Sequence, residues 1–313
     1  MALAVVGGAA APAPPAAPKP ASVHLAKVLT AEFLYESAPF PSCHASTIVE
    51  TENHQLVAAF FGGTAERNPD VCIYVCRRVD GKWTAPLEVA SGIQTQVTPA
   101  TATTKAATPT RYPTWNPVLF QPKGQPLTLY YKVGPSPAEW WGMSMTSTDD
   151  GKTWSTPKRL PDGFLGPIKD KPIQLPNGNV LAGSSDESHG WSVHFELYTD
   201  SGTTWKKILL PSNQSFDAIQ PTILVHPADA SAPDKSIPKL QALCRTKEKV
   251  IAETWSSDAG ITWSPLAPTS LPNPNSGIDA TTLADGRFLL AYNPTPQDRT
   301  PLTLAVSQDG KSW

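Results

Sequence analysis

One pattern recurs along the whole sequence: a hydroxyl residue, then Asp, Gly, Thr and Trp at near-constant spacing. SSDAGITW at Ser256–Trp263 and STDDGKTW at Ser147–Trp154 both read S-x-D-x-G-x-T-W. YTDSGTTW at Tyr198–Trp205 keeps all but the opening Ser, while RVDGKW, ending at Trp83, and SQDGKSW, ending at Trp313, carry one residue fewer between Asp and Gly. The five tryptophans stand 71, 51, 58 and 50 residues apart. A unit of this size cannot bury its hydrophobic face alone, so the chain must fold as stacked or radial units rather than around one irregular core.

The residue types explain the pattern. Asp hydrogen-bonds the backbone of its own turn and Gly takes a positive φ, which together make a tight connection between antiparallel strands. Thr and Trp are expected to start the next strand, with the indole sealing one unit against its neighbour. Asp149, Asp200, Asp258 and Asp309 look like a row of acids. A residue repeated in every unit cannot serve a single site, so their role is read as structural.

Composition agrees. The 34 prolines and 20 glycines, with little helical periodicity, predict many short strands and turns, and 313 residues at 40% hydrophobic suffice for a sizeable core. A net charge of −2 without a dense basic run argues against nucleic acid or an anionic membrane surface as partner. No apolar run reaches the roughly 20 residues of a membrane span. The four cysteines, Cys43, Cys72, Cys76 and Cys244, suit neither a disulfide framework nor a zinc site. Cys72 and Cys76 would share one strand face as buried thiols. No phosphate loop, dinucleotide fingerprint or metal cluster appears, so no cofactor is expected.

Residues 1–22 are Ala/Pro-rich without a basic start and predict a disordered extension; a secretory or organellar signal there is not convincing, and the compartment stays open. On secretion Asn213 would be a glycosylation acceptor. Val23 to Leu34 predicts a strand. Strand-length runs then follow in five groups: ASTIVE, QLVAAFFGG and VCIYVCRR; RYPTWNPVLF, PLTLYYKV and GMSMTS; KPIQL, VLAGSS and WSVHFELYT; IQPTILVH, LQALCR and VIAETWS; ATTL, FLLAYN and LTLAVS. Residues 95–110, Thr/Ala/Pro-rich, are read as a low-complexity loop that lengthens the first interval.

These motifs resemble the Asp-box (BNR) repeats of the sialidase, or neuraminidase, superfamily, over residues 40 to 313. The resemblance implies an all-β, six-bladed β-propeller occupying residues 23–313. The sequence stops within the fifth Asp box, so the last blade is expected to be incomplete, with Val23–Leu34 as a candidate for its outer strand. In such a fold the first strand of every blade lines a central channel. The polar residues on those strands and their loops are His44, Glu66, Arg67, Asp70, Arg111, Asn116, Lys171, Glu187, Gln220, Arg245, Asp279 and Arg299. Sialidases grip a substrate carboxylate with three arginines; Arg245 in LCR and Arg299 in YNPTPQDR stand at the second and third positions, and WNP at Trp115–Pro117 is similar to their Asn-Pro. Cys43 and His44 occupy the place of the first arginine. Glu66 and Asp70 are the carboxylates of the loop that carries the family's acid, Gln220 stands where a Glu polarises the nucleophilic Tyr, and that Tyr belongs to the sixth blade.

The expected function is removal of a terminal acidic sugar, sialic acid or a relative, from a glycan, with retention and with Glu66 or Asp70 as the acid. Two other readings stand beside it: a propeller that binds acidic glycans without cleaving them, and a protein-interaction scaffold. His44 also leaves open an acid or base acting on a different uronic or deoxy sugar.

Overall fold

The structure is a computed structural model and describes residues 28–94, 110–199, 202–211, 216–227 and 237–313. The expected extension at 1–22, nearly all of the low-complexity loop, Asp200 and Asn213 lie outside the described residues. The chain divides into two units, Met1–Phe33 and Leu34–Trp313. In the first, residues 28–33 hold no strand, and Leu34 holds none either, so the described part of the strand expected from Val23 is absent. Among the described residues no helix is long and apolar enough to cross a membrane.

The second unit is an all-β propeller of five antiparallel blades. The first comprises β1 (Ser42–Glu50), β2 (Leu56–Gly63) and β3 (Cys72–Val79), with β4 (Lys82–Trp83) and β5 (Leu87–Ala90) both pairing with β3. A ribbon of β6 (Ile93–Gln94) and β7 (Thr110–Arg111) follows it. Blade two runs through β8 (Thr114–Phe120), β9 (Leu127–Val133), β10 (Trp141–Ser147) and β11 (Lys158–Arg159). Blade three is β12 (Ile173–Gln174), β13 (Val180–Asp186), β14 (Ser192–Thr199) and β15 (Thr204–Leu209). Blade four is β16 (Ala218–His226), β17 (Lys239–Thr246), β18 (Val250–Ser256) and β19 (Ala267–Pro272). Blade five has three strands, β20 (Asp279–Thr282), β21 (Phe288–Tyr292) and β22 (Thr303–Ser307). The five groups of strand-length runs are thus the five blades; a sixth is not among them.

The repeated motif turns the chain between the third and fourth strands. In blade two the Ser147 hydroxyl donates to Asp149 Oδ1 (2.8 Å) and accepts from Gly151 N (2.8 Å), while Thr153 donates its amide and hydroxyl to the two Asp149 oxygens (2.8 and 2.6 Å). Blade four repeats the set with Ser256, Asp258, Gly260 and Thr262, and blade five a shortened one with Ser307, Asp309, Gly310 and Ser312. The donors hold the Asp149 carboxyl down at about 2, with the Thr153 hydroxyl first among them. Trp154 and Trp263 do not begin a strand as expected. Each returns its Nε1–H to the carbonyl of the motif's own Gly, Gly151 (3.1 Å) and Gly260 (3.0 Å), which lays the indole flat against the turn.

From there the indoles reach the preceding blade. Trp154 packs on the core shared by blades one and two, Trp205 on that of blades two and three, Trp263 on that of blades three and four, and Trp313 on that of blades four and five. The motif glycines approach equally closely: a side chain on Gly151 would begin 3.1 Å from Val57, and one on Gly260 or Gly310 would strike Leu181 or Gln241 of the blade before. Between blades two and three lies a buried polar seam. There the Lys132 ammonium donates to the Pro167 carbonyl, and Glu196 accepts from the amides of Leu165 and Gly166 and pairs with His194. Burial pulls Lys132 down to about 7, partly opposed by Glu196. On the outer side of blade one, Tyr35 and Phe40 cover Phe60, Tyr74, Cys72 and Cys76, whose thiols burial raises to about 11.

Candidate functional site

Three inner strands are interrupted at the same level. β1 shifts register between His44 and Thr47, β8 between Trp115 and Val118, and β16 between Ile219 and Thr222. At each bulge a non-glycine residue takes a left-handed backbone: Ala45 (φ 54°), Asn116 (φ 38°) and Gln220 (φ 55°). A bulge leaves one residue unpaired and re-aims its side chain, and left-handed backbone at a non-glycine costs on the order of 1–3 kcal/mol. All three residues line one cavity of about 450 Å³ at the channel mouth, to which every blade contributes.

Eight of the residues expected from sequence line this cavity: His44, Glu66, Arg67, Asn116, Glu187, Gln220, Arg245 and Arg299. Arg245, at the end of β17, donates from Nε to Asn275 Oδ1 (2.8 Å) and from Nη1 to Gln220 Oε1 (3.3 Å). Arg299, in the loop between β21 and β22, donates to the Asn275 carbonyl (3.0 Å). Asn275 (φ 62°) therefore ties together guanidiniums from two blades, and among the described residues neither has a carboxylate within ion-pair distance. Burial and the neighbouring Arg299 pull Arg245 down to about 10, against the pull of Glu187 and Glu66, so it stays charged at neutral pH. Burial raises Glu187, with Arg245 and Trp191 opposing. The Trp191 indole is faced by two cations, the Arg245 guanidinium 5.2 Å and the Lys247 ammonium 4.9 Å from its centroid. His44 lies along Phe61, with ring centroids 5.7 Å apart.

Four expected residues lie elsewhere. Asp70 accepts from the Thr64 amide (2.9 Å) and hydroxyl (2.6 Å), closing the loop it sits in. The hydroxyl bond, foremost, holds its carboxyl below the usual range. Arg111 donates to the Asp70 carbonyl (3.2 Å) and to Cys72 Sγ (3.0 Å) at the edge of blade one. Lys171 and Asp279 line a separate cavity of about 380 Å³ with Phe120, Ile173 and Ile223.

Sequence reasoning missed Lys169, Trp191, Asn275 and Gly277. Lys169 precedes β12 in a bend, where strand alternation gives no direction and does not distinguish it from Lys171 two residues on. Asn275 could have been suspected from the Asn-rich NPNSG run, since Asn tolerates left-handed backbone. The assembled cavity holds the guanidiniums of Arg67, Arg245 and Arg299, the Lys169 ammonium, two carboxyl groups and a wall of Trp115, Trp140 and Trp191. This arrangement can fix a planar anion by paired hydrogen bonds and pack apolar ring faces beside it.

Residues 54–313 match the family described as a BNR repeat-like domain. No curated protein matches the sequence. Among solved structures, a Dyadobacter fermentans protein of unknown function superposes with a TM-score of 0.63 at 17% identity, over 86% of this chain and 80% of that one. The NanB sialidase of Streptococcus pneumoniae gives 0.65 at 14%, over 90% and 62%. The Trypanosoma rangeli sialidase, solved with sialic acid, gives 0.59 at 18%, over 86% and 47%. The chain thus spans less than two thirds of either sialidase, and at these identities the likeness is one of fold.

Proposed function

Taking as premise that this chain belongs to the BNR repeat-like domain family, we propose that the channel-mouth cavity holds a terminal acidic sugar by its carboxylate and that the protein removes that sugar from a glycan. The observation that carries this reading is the pair Arg245 and Arg299. Two guanidiniums from different blades are fixed on one asparagine, line one cavity and have no carboxylate partner among the described residues. Like charges held together in a partly buried site repel, and an arriving carboxylate relieves that repulsion. The indoles of Trp115, Trp140 and Trp191 supply apolar surface for the ring. The solved sialidases share the fold, which supports the sugar class.

In this reading Glu66 is the acid. It lines the cavity, whereas Asp70 is committed to Thr64 outside it. The Glu66 carboxyl gives its proton to the glycosidic oxygen as the bond from that oxygen to the anomeric carbon breaks, and the arginines keep the sugar carboxylate in place meanwhile. Retention follows when a protein nucleophile takes the anomeric carbon and water later displaces it. The resemblance assigns that part to a Tyr on a sixth blade. An aryl oxygen suits it, because a carboxylate would be repelled by the sugar's own. A sixth blade would also cover the free face of blade five, where Leu302, Leu304 and Val306 are 72, 59 and 45% exposed. Binding without turnover is the second reading, favoured by Gln220, an amide that cannot act as a base and whose Oε1 already accepts from Arg245.

The test is incubation with aryl glycosides of sialic acid, its deaminated analogue, other keto-deoxy sugars and uronic acids, beside direct binding of the free sugars. Release that disappears in Glu66→Gln supports the hydrolase. Arg245→Lys should weaken acidic-sugar binding by about tenfold or more, since an ammonium cannot make the paired contact. Saturable binding without release selects the second reading, and no binding of any acidic sugar refutes both.

A further inference from the structure

We propose that Lys169 is a further cationic donor of this cavity, beside Arg245 and Arg299, and meets the ligand's carboxylate across the bare backbone of Gly277. The inference rests on the reading that the cavity takes an acidic sugar, and adds to it a residue that neither the repeat motif nor the arginine pair identifies.

The ammonium has three N–H donors. One goes to Asp170 Oδ1 and one to the Ile278 carbonyl (2.8 Å), which together hold the lysine in place, and the third has no acceptor among the described residues. The side chain is 22% exposed, and the space it lines is the cavity that Arg245 and Arg299 also line. A free donor on an otherwise immobilised ammonium is a preorganised contact for an anion, because the side-chain entropy of ordering a long lysine is already lost in the folded state. Burial works against the charge, but Asp170 and Asp279 outweigh it and hold Lys169 above its usual value, so the donor is charged.

Asp170 does not cancel that charge from the ligand's side. It is 1% exposed, is not among the residues that line the cavity, and its Oδ2 has no hydrogen-bond partner among the described residues. A buried carboxylate with one oxygen unpaired is expensive to retain. Anchoring an ammonium that faces a site gives it a purpose that burial in a core does not. Burial raises the Asp170 carboxyl, with Lys169 foremost in opposing the shift.

Gly277 supplies the opening. Its φ is not left-handed, so the backbone does not call for glycine there. A Cβ at this position would press on the lysine, 3.1 Å from Lys169 Cε, and stand at ordinary contact distance, 3.9 Å, from Gln220 Oε1, the atom that accepts from Arg245 Nη1. The missing side chain leaves room between the lysine and the Gln220 amide oxygen that accepts from Arg245.

The experiment measures binding of the best acidic sugar from the panel above and of its neutral methyl ester, by calorimetry or ligand-observed NMR. Wild type, Lys169→Met, Lys169→Arg, Gly277→Ala and Arg245→Met are compared. Lys169→Met should weaken the acid by about tenfold or more, the range of one charge-assisted hydrogen bond, and shift the ester by less than about threefold. Lys169→Arg should retain most of the affinity, and Gly277→Ala should weaken the acid with the lysine intact. Because Lys169→Met strands Asp170, the double variant Lys169→Met, Asp170→Asn is measured as well; it removes both charges and should show the same selective loss with a native melting profile. Acid affinity in the double variant within about twofold of wild type, with Arg245→Met clearly weakened, overturns the role of Lys169 and leaves the proposed function standing. No wild-type binding of any acidic sugar, or none lost in Arg245→Met, overturns the proposed function and this inference with it.

Discussion

Replacing Trp263 with alanine tests whether the repeated motif holds neighbouring blades together. The indole is 6% exposed and stacks on Phe195 of blade three, with centroids 3.8 Å apart and planes 6° from parallel. Its Nε1–H donates to Gly260 O. A buried indole removes roughly 200 Å² from water, worth about 5 kcal/mol at about 25 cal/mol per Å². The alanine methyl and partial collapse of the site return some of this, leaving a loss of about 3–5 kcal/mol. Urea unfolding followed by circular dichroism should show the midpoint falling by the corresponding amount, and hydrogen exchange should quicken first on β14 and β18, either side of the lost ring. Trp263→Phe, which keeps a stacked ring, should recover part of the loss. A loss below about 1 kcal/mol, or faster exchange spread evenly over all blades, would refute the idea that this ring seals one blade to the next.

Trp205→Ala should cost less, about 1–2 kcal/mol in the same assay, because its ring is only half-buried against Tyr198 and Phe164. Gly260→Ala combines a left-handed backbone (φ 87°) with a collision at Leu181, and should lower stability by about 2 kcal/mol or more without changing ligand binding. Acid should weaken the protein through the motif carboxylates. Asp149, Asp258 and Asp309 have folded values below their unfolded ones, so their contribution is complete above about pH 4 and is lost as pH falls through the folded values, about 2 for Asp149. The urea midpoint measured from pH 7 to about pH 2.5 should drop over the lower part of that range, and Asp149→Asn should flatten the drop.

The blades were legible because their determinants are local. A motif that closes its turn by hydrogen bonds within seven or eight residues announces itself in any window of sequence, and the strand runs between motifs matched the strands found. The site was legible only where position along a strand decides direction, as at Arg245, or where the resemblance placed a loop, as at Arg299. Where the backbone departs from alternation the sequence is silent. Nothing in the residues alone tells that Lys169 rather than Lys171 faces the mouth, or that Asp70 spends its carboxylate on Thr64. The bulges at Asn116 and Gln220 carried one readable mark, the proline that follows each, and at Ala45 none.

The motif's reach has a direction. Gly151, Gly260 and Gly310 each lean on the blade that precedes them in the chain, and Trp154, Trp205, Trp263 and Trp313 do the same. During synthesis the preceding blade leaves the ribosome first, so each turn emerges to find its docking surface already made. Such a chain can zip up vectorially at the pace of translation, each newly exported hairpin being captured before the following one is exposed, and its sticky edges spend little time waiting in the cytosol or in a translocation channel.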